Sequence, residues 1–257
     1  MTYRILNILF VITLVIFLYL YLEDLWSFWP VVLLVLGYIL FLLVVSTNVG
    51  FNFFVKAYNR NPDFEGNSVA LSFDDGPNQN TLKILDILDR HEVKATFFCI
   101  GQQVEAHPEV FREILKRGHL VGNHTYSHTR KIGFLKSSRI IEEIEACDKV
   151  VKDRSGLEMR LFRPPFGIIN PKVKRALAKT GHQVIGWNNR PYDAITSSPE
   201  RILKRILKNL DKGDLILLHD NIEKTSVVLE QLLVKLKQRN LGVVRLDKLF
   251  DIDAYTN

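Results

Sequence analysis

From Ser68 onward the chain alternates short apolar runs with amphipathic stretches, and this alternation leaves few folds open to it. The apolar runs are Ser68–Phe73, Ala95–Ile100, His119–Gly122, Arg160–Arg163, Gln183–Trp187, Asp214–Leu218 and Gly242–Leu246. Between them the spacing predicts helices over Thr81–Arg90, Pro108–Arg117, Ser138–Asp153, Pro171–Lys179, Pro199–Asp211 and Lys224–Arg239. In the third helix Ile140, Ile141, Ile144, Cys147, Val150 and Val151 recur at helical spacing. Asn170-Pro171 supplies a cap and a first-turn proline to the fourth, and Gly181 closes it. Such an order specifies an α/β fold, a mainly parallel sheet wrapped by helices. About seven units point to a closed or nearly closed barrel, although counting alone does not separate that from an open sheet.

Residues 1–50 are of a different kind. Ile5 to Leu22 is apolar except for Asn7 and Thr13, and Pro30 to Val49 is apolar until Ser46, Thr47 and Asn48. Each approaches the ~20 residues that cross a ~30 Å hydrocarbon layer. The link Glu23–Trp29 is acidic and aromatic, and Tyr19, Tyr21, Trp26 and Trp29 suit a membrane interface. A cleaved leader needs small residues after its apolar core, where this chain has Glu23 and Asp24. The expected organisation is a transmembrane helical hairpin over 1–50, a connector over 51–66 and one domain over 67–257. The alternative, a hairpin buried in a soluble domain, sits poorly with helices apolar on every face.

The formal charge of +6 comes from lysines and arginines spread along helices such as Arg201 to Lys212. That is the pattern of a solvated face more than of a nucleic-acid stripe, so no nucleic-acid partner is expected, while the two apolar segments make membrane lipid an expected partner. Cys99 and Cys147 fall on apolar positions and read as small core residues, not as a disulfide framework.

Polar residues collect where the apolar runs end. Asp74-Asp75 closes the first run, with Gly76-Pro77 forcing a turn; His124 follows the third, Arg163 ends the fourth, Trp187 to Asp193 follows the fifth and His219 ends the sixth. Strand C-termini in a βα barrel share one face, so these residues can converge. Two adjacent carboxylates repel unless a cation or proton lies between them. His124 and His128 offer imidazoles, and one carboxylate with two imidazoles is a facial set for Zn²⁺ or a neighbouring divalent ion. This combination predicts a metal-dependent hydrolase.

Ser72–Pro77, His124-Thr-Tyr-Ser-His128, Arg163-Pro-Pro-Phe-Gly167 and Leu217-Leu-His219 resemble, in order and spacing, the motifs of the polysaccharide deacetylases (NodB-homology domain, carbohydrate esterase 4). The resemblance spans roughly Asn67 to Phe250 and implies a distorted (β/α) barrel that removes acetyl groups from sugars. It implies that Asp75, His124 and His128 hold one divalent ion, Zn²⁺ first, with Co²⁺, Mn²⁺ or Ni²⁺ as alternatives. Asp74 would be the general base and His219 the acid that protonates the leaving amine. Arg163 would pair with Asp74, and Asp193 would hold His219. Leu217, Pro165, Phe166 and Trp187 would contact substrate. Taken singly these residues have plainer readings: turn or strand caps, a structural ion pair, a core leucine.

One motif departs from the family pattern, in which two acids three residues apart precede a tryptophan. In Trp187-Asn-Asn-Arg-Pro-Tyr-Asp-Ala194, Asp193 matches the second acid, but Arg190 takes the place of the first and Ala194 that of the tryptophan. The leading expectation is a membrane-anchored N-deacetylase of a cell-envelope glycan or a lipid-linked acetamido sugar. A hydrolase of another non-peptide C–N bond and an inactive glycan-binding membrane protein are the alternatives. Arg4 before the first helix and Lys56 and Arg60 after the second place both ends in the cytoplasm by charge. Glycan chemistry instead favours the domain on the outer or periplasmic side, which is the expectation adopted.

Overall fold

A computed structural model describes residues 3–196 and 198–256 of the chain. Its elements are, in order, α1 (Tyr3–Leu22), α2 (Trp29–Ser46), β1 (Ala57–Tyr58), β2 (Ser68–Asp74), α3 (Gln79–Arg90), β3 (Thr96–Cys99), α4 (Gly101–Ala106), α5 (Pro108–Lys116) and β4 (Leu120–Asn123). There follow α6 (Ser137–Ser155), β5 (Leu161–Phe162), α7 (Pro171–Thr180), β6 (Gln183–Ile185), α8 (Pro199–Lys208), β7 (Leu215–His219), α9 (Lys224–Gln238), β8 (Gly242–Val243) and α10 (Leu246–Phe250). The strands form one sheet in the order β1-β6-β5-β4-β3-β2-β7, with β8 pairing β2 off this path. Every strand pair is parallel. The sheet curls, and a single parallel bridge from Asn189 to Ile216 links the chain beyond β6 to β7. The parallel sheet is the one that the strand–helix alternation implied, and its curl gives the distorted barrel that the family resemblance implied.

Side-chain alternation divides the core. Ala70, Phe98, Leu120, Leu161, Ile185 and Leu215 point inward and pack together inside the curl. Leu71, Phe73, Phe97 and Val121 point outward against α3, α5, α8 and α9. Gly122 in β4 makes room for the interior, because a Cβ there would lie 2.6 Å from the Phe98 ring.

The register aligns the strand ends. Asp74 is level with Phe98 on β3 and His219 on β7, Cys99 with Asn123, and Asn123 with Phe162. Residues that follow these positions therefore emerge at one height on one face.

Three details differ from the sequence reading. The stretch read as a connector contributes β1, which pairs β6 through Ala57 and Tyr58. The last predicted strand is short, and Leu246 opens α10 instead, since Leu246 and Leu249 fill the barrel interior together from one helical turn. The third detail is α4, which precedes the predicted helix after β3.

Helices α1 and α2 are long and apolar enough to cross a membrane, and most of their side chains are exposed. The end of α2 nevertheless belongs to the barrel's outer core. Val45 and Val49 are buried with Phe54, Phe162, Val173 and Val184, and the Ser46 carbonyl accepts the Ile169 N–H at 2.9 Å. Cys99 and Cys147 are both buried free thiols, whose burial pushes their pKa values up.

Candidate active site

The mouth of the barrel is built from the loops after β2, β4, β5, β6 and β7. Asp75, directly after β2, sits in the left-handed region at φ 77°, and Thr125, His128 and Phe166 also have positive φ. For residues other than glycine this conformation is uncommon and costs energy, and it clusters where a fold must aim side chains. The His124–His128 loop is pinned by Glu143 of α6, which accepts the Ser127 N–H at 2.8 Å and the Ser127 hydroxyl at 2.7 Å. The Thr125 N–H donates to Asn123 Oδ1 at 2.8 Å.

These loops bring Asp75, His124 and His128 together, with one ligand atom of each inside 4.8 Å of the others. His124 Nε2 and His128 Nε2 lie 3.6 Å and 3.5 Å from Asp75 Oδ1. His124 Nδ1 donates to the Arg163 carbonyl at 2.8 Å, which leaves the Nε2 lone pair facing Asp75. Burial, then repulsion from His124, pushes His128 down to about 4. Burial would raise Asp75, but the hydrogen bond and charge of His124, with His219 and His128 adding, hold it well below the usual carboxylate range. At neutral pH the set thus offers an ionised carboxylate and an unprotonated His128, the states a ligand set needs. The donor chemistry fits a divalent ion.

Asp74, one residue earlier, points into the barrel. Its Oδ1 accepts from Arg163 Nη1 at 2.7 Å, and its Oδ2 lies 3.8 Å from His124 Nε2. Arg163 is 0% exposed. Its guanidinium is held by the Ser72 hydroxyl at 2.9 Å, the Gly186 carbonyl at 2.8 Å and the Phe98 ring at 4.0 Å. A buried charge needs this degree of satisfaction.

On the adjacent strand, level with Asp74, His219 Nδ1 donates to Asp193 Oδ1 at 2.8 Å and its backbone N–H donates to Asp193 Oδ2 at 2.7 Å. Burial would lower the imidazole, but the Asp193 bond and charge, reinforced by Asp74 and Asp75, carry it up to about 9. Leu217 is fully buried two residues before His219, on the same side of the strand. Pro165 is buried, Phe166 is part-exposed with its ring 4.7 Å from that of His128, and Trp187 lies 5.7 Å from the Arg163 guanidinium.

Sequence reasoning missed Asp220. It is buried below the Asp-Asp turn, and its Oδ2 accepts the Thr81 hydroxyl at 2.7 Å while its N–H donates to the Asp74 carbonyl at 3.2 Å. A Cβ on Gly76 would lie 2.0 Å from that Oδ2, so the turn needs glycine to admit the carboxyl. Burial, with the charges of Asp75 and Asp74 adding and the Thr81 bond opposing, raises Asp220 to about 7. The available signal was its position directly after His219.

A family model described as polysaccharide deacetylase matches residues 61–185. A peptidoglycan-N-acetylglucosamine deacetylase of Bacillus cereus is 33% identical over 190 residues, 70% of this chain and 87% of the relative. The peptidoglycan-N-acetylmuramic acid deacetylase PdaC of Bacillus subtilis is 30% identical over 185 residues, 72% of this chain and 39% of PdaC. Among solved structures, the Bc1960 peptidoglycan N-acetylglucosamine deacetylase superposes with a TM-score of 0.72 at 29% identity, covering 78% of this chain and 94% of that one. With its strand order, its site loops and these likenesses together, the chain belongs to the polysaccharide deacetylase family of carbon–nitrogen hydrolases.

Proposed function

We propose that this protein is a membrane-anchored, metal-dependent deacetylase that hydrolyses the N-acetyl group of a cell-envelope or lipid-linked acetamido sugar. The observation that carries the reading is the pairing of two devices around one ligand set. Beside Asp75, His124 and His128, Asp74 is held by Arg163 and His219 is held by Asp193. The relatives named above act on peptidoglycan and support an N-acetylated glycan as substrate.

A divalent ion held by Asp75, His124 and His128, Zn²⁺ first among candidates, would supply Lewis-acid polarisation and lower the pKa of water from ~15.7 toward ~7. The chain's own groups handle the protons. Asp74, kept as an unligated carboxylate by Arg163, takes a proton from the water whose oxygen attacks the acetyl carbonyl carbon. As the C–N bond breaks, His219 delivers its proton to the departing nitrogen, so acetate and a free amine leave. A side chain that enters the step protonated suits the acid role, and general acid catalysis of this kind contributes ~10²–10⁴-fold. Leu217 on the His219 side forms the floor beneath the acetyl methyl. Pro165, Phe166 and Trp187 form the wall that receives the sugar.

Helices α1 and α2 support the anchoring; the outer face is adopted for the domain because a cell-envelope glycan lies there, against the charge pattern of the flanking residues. Acetate release by the full chain from a panel of N-acetylated glycans, with defined metals, tests the activity. Silence across the whole panel would end this reading. A compartment-sensitive reporter fused after Asn257 tests the orientation.

A further inference from the structure

A cleft of about 710 Å³ opens beside the site, between the end of α2 and the loop joining β6 to α8. Thr47, Asn48 and Phe51, where the chain leaves α2, form one wall; Trp187, Arg190 and Tyr192 form the other. The Arg190 guanidinium lies 5.2 Å from the Trp187 ring and 5.3 Å from the Tyr192 ring. Tyr192 is held there by a left-handed backbone, φ 59°. Arg190 Nε is buried and has no hydrogen-bond partner among the described residues. The nearest catalytic carboxylates are committed elsewhere, Asp74 to Arg163 and Asp193 to His219.

A guanidinium that lines an open cleft beside two rings, with no carboxylate in ion-pair distance among the described residues, is prepared for an anion. The guanidinium fork matches phosphate oxygens in particular. Arg205 lies 6.0 Å from the Tyr192 ring, and with Arg201 it lines the adjoining pocket. The field at this loop therefore suits a multiply charged group better than a single carboxylate. Arg190 also stands where the family pattern has an acid, which would repel such a group. Trp187 touches both ends of the arrangement, since Arg163 lies 5.7 Å from its ring, so the cleft is one indole away from the Asp74 pair. The opposite wall is the exit of an apolar helix, the level at which lipid headgroups would lie.

Building on the deacetylase reading, we propose that this cleft binds a phosphoryl group of the substrate. The acetamido sugar deacetylated by this chain is then carried on a phosphate or pyrophosphate ester.

The test uses the full chain in discs of neutral lipid, loaded with a divalent ion. Acetate release is compared for N-acetylglucosamine on a polyprenyl pyrophosphate in the discs, for soluble N-acetylglucosamine 1-phosphate and for neutral N-acetylated chitooligosaccharide. The expected result is a preference of about tenfold or more in kcat/KM for a phosphorylated substrate, lost through KM in Arg190→Gln. Preference for the lipid-linked substrate alone assigns the phosphate to a membrane carrier, and preference for both assigns it to sugar phosphates at large. No preference over the neutral glycan, a preference that survives Arg190→Gln, or an equal preference for a carboxylate-bearing muramic acid glycan would overturn the proposal. Calorimetric titration with inorganic pyrophosphate reads the cleft without turnover. Binding weakened about tenfold by Arg190→Gln supports the site, and no binding to the unaltered chain overturns it. If no acetate were released from any substrate, the deacetylase reading would fall, and this titration would still decide the cleft.

Discussion

Asp193 grips His219 at two points, one carboxylate oxygen accepting the backbone N–H at 2.7 Å and the other the ring Nδ1–H at 2.8 Å. The strand end and the ring rotamer are thereby fixed together, and with Nδ1–H committed to Asp193 the Nε2–H is the proton left to donate.

In the metal-free protein, an NMR titration should find His219 at about 9, with Asp193→Asn bringing it back toward the ~6.5 of a free imidazole. The folded value lies above the unfolded one. The stabilisation from this pair is therefore complete below ~6.5 and is lost as pH rises through the folded pKa. Urea unfolding of both proteins at about pH 6 and about pH 10 should show a difference that shrinks at the higher pH. A wild-type His219 titrating near its ordinary value would contradict the grip.

His219→Ala should cost amide substrates ~10²–10⁴-fold in kcat and activated acetyl esters much less, because a good leaving group needs little protonation. Equal losses on the two substrate types would remove His219 as the acid.

Arg163→Met should strand the Asp74 carboxylate in the barrel and destabilise the fold by about 3–5 kcal/mol, read from denaturant midpoints. Adding Asp74→Asn to Arg163→Met should recover much of that stability while leaving turnover lost. A double variant no more stable than the single one would mean that Arg163 acts through its carbonyl and ring contacts alone.

Asp75→Ala and His124→Ala should each lose metal and activity together, whereas Asp74→Asn should keep metal after dialysis and lose most turnover. Metal retention should fall as pH drops toward about 4, where His128 takes up a proton. Full activity in Asp74→Asn would exclude it as the base.

Much of the mouth was legible because strand ends can be read as punctuation. A buried run stops, a polar residue follows, and parallel register brings such residues to one height, as it does for Asp74 and His219. What escaped the sequence depends on tertiary contacts. β1 is two residues in a polar stretch, defined only by its ladder to β6. Of α10 only Leu246 was read as strand, as the end of the run begun by Val243-Val244, because no turn residue separates the two elements. Asp220 matters through its depth below Gly76, which no local pattern encodes.

The seam between α2 and the barrel, with Val45 and Val49 packed beside Phe162 and the Ser46–Ile169 bond across it, leaves no slack for a tether. An enzyme mounted this way does not sweep a volume of cell wall. On the anchored reading proposed above, it would work at one fixed altitude, and its encounters would be set by two-dimensional diffusion of whatever shares that plane.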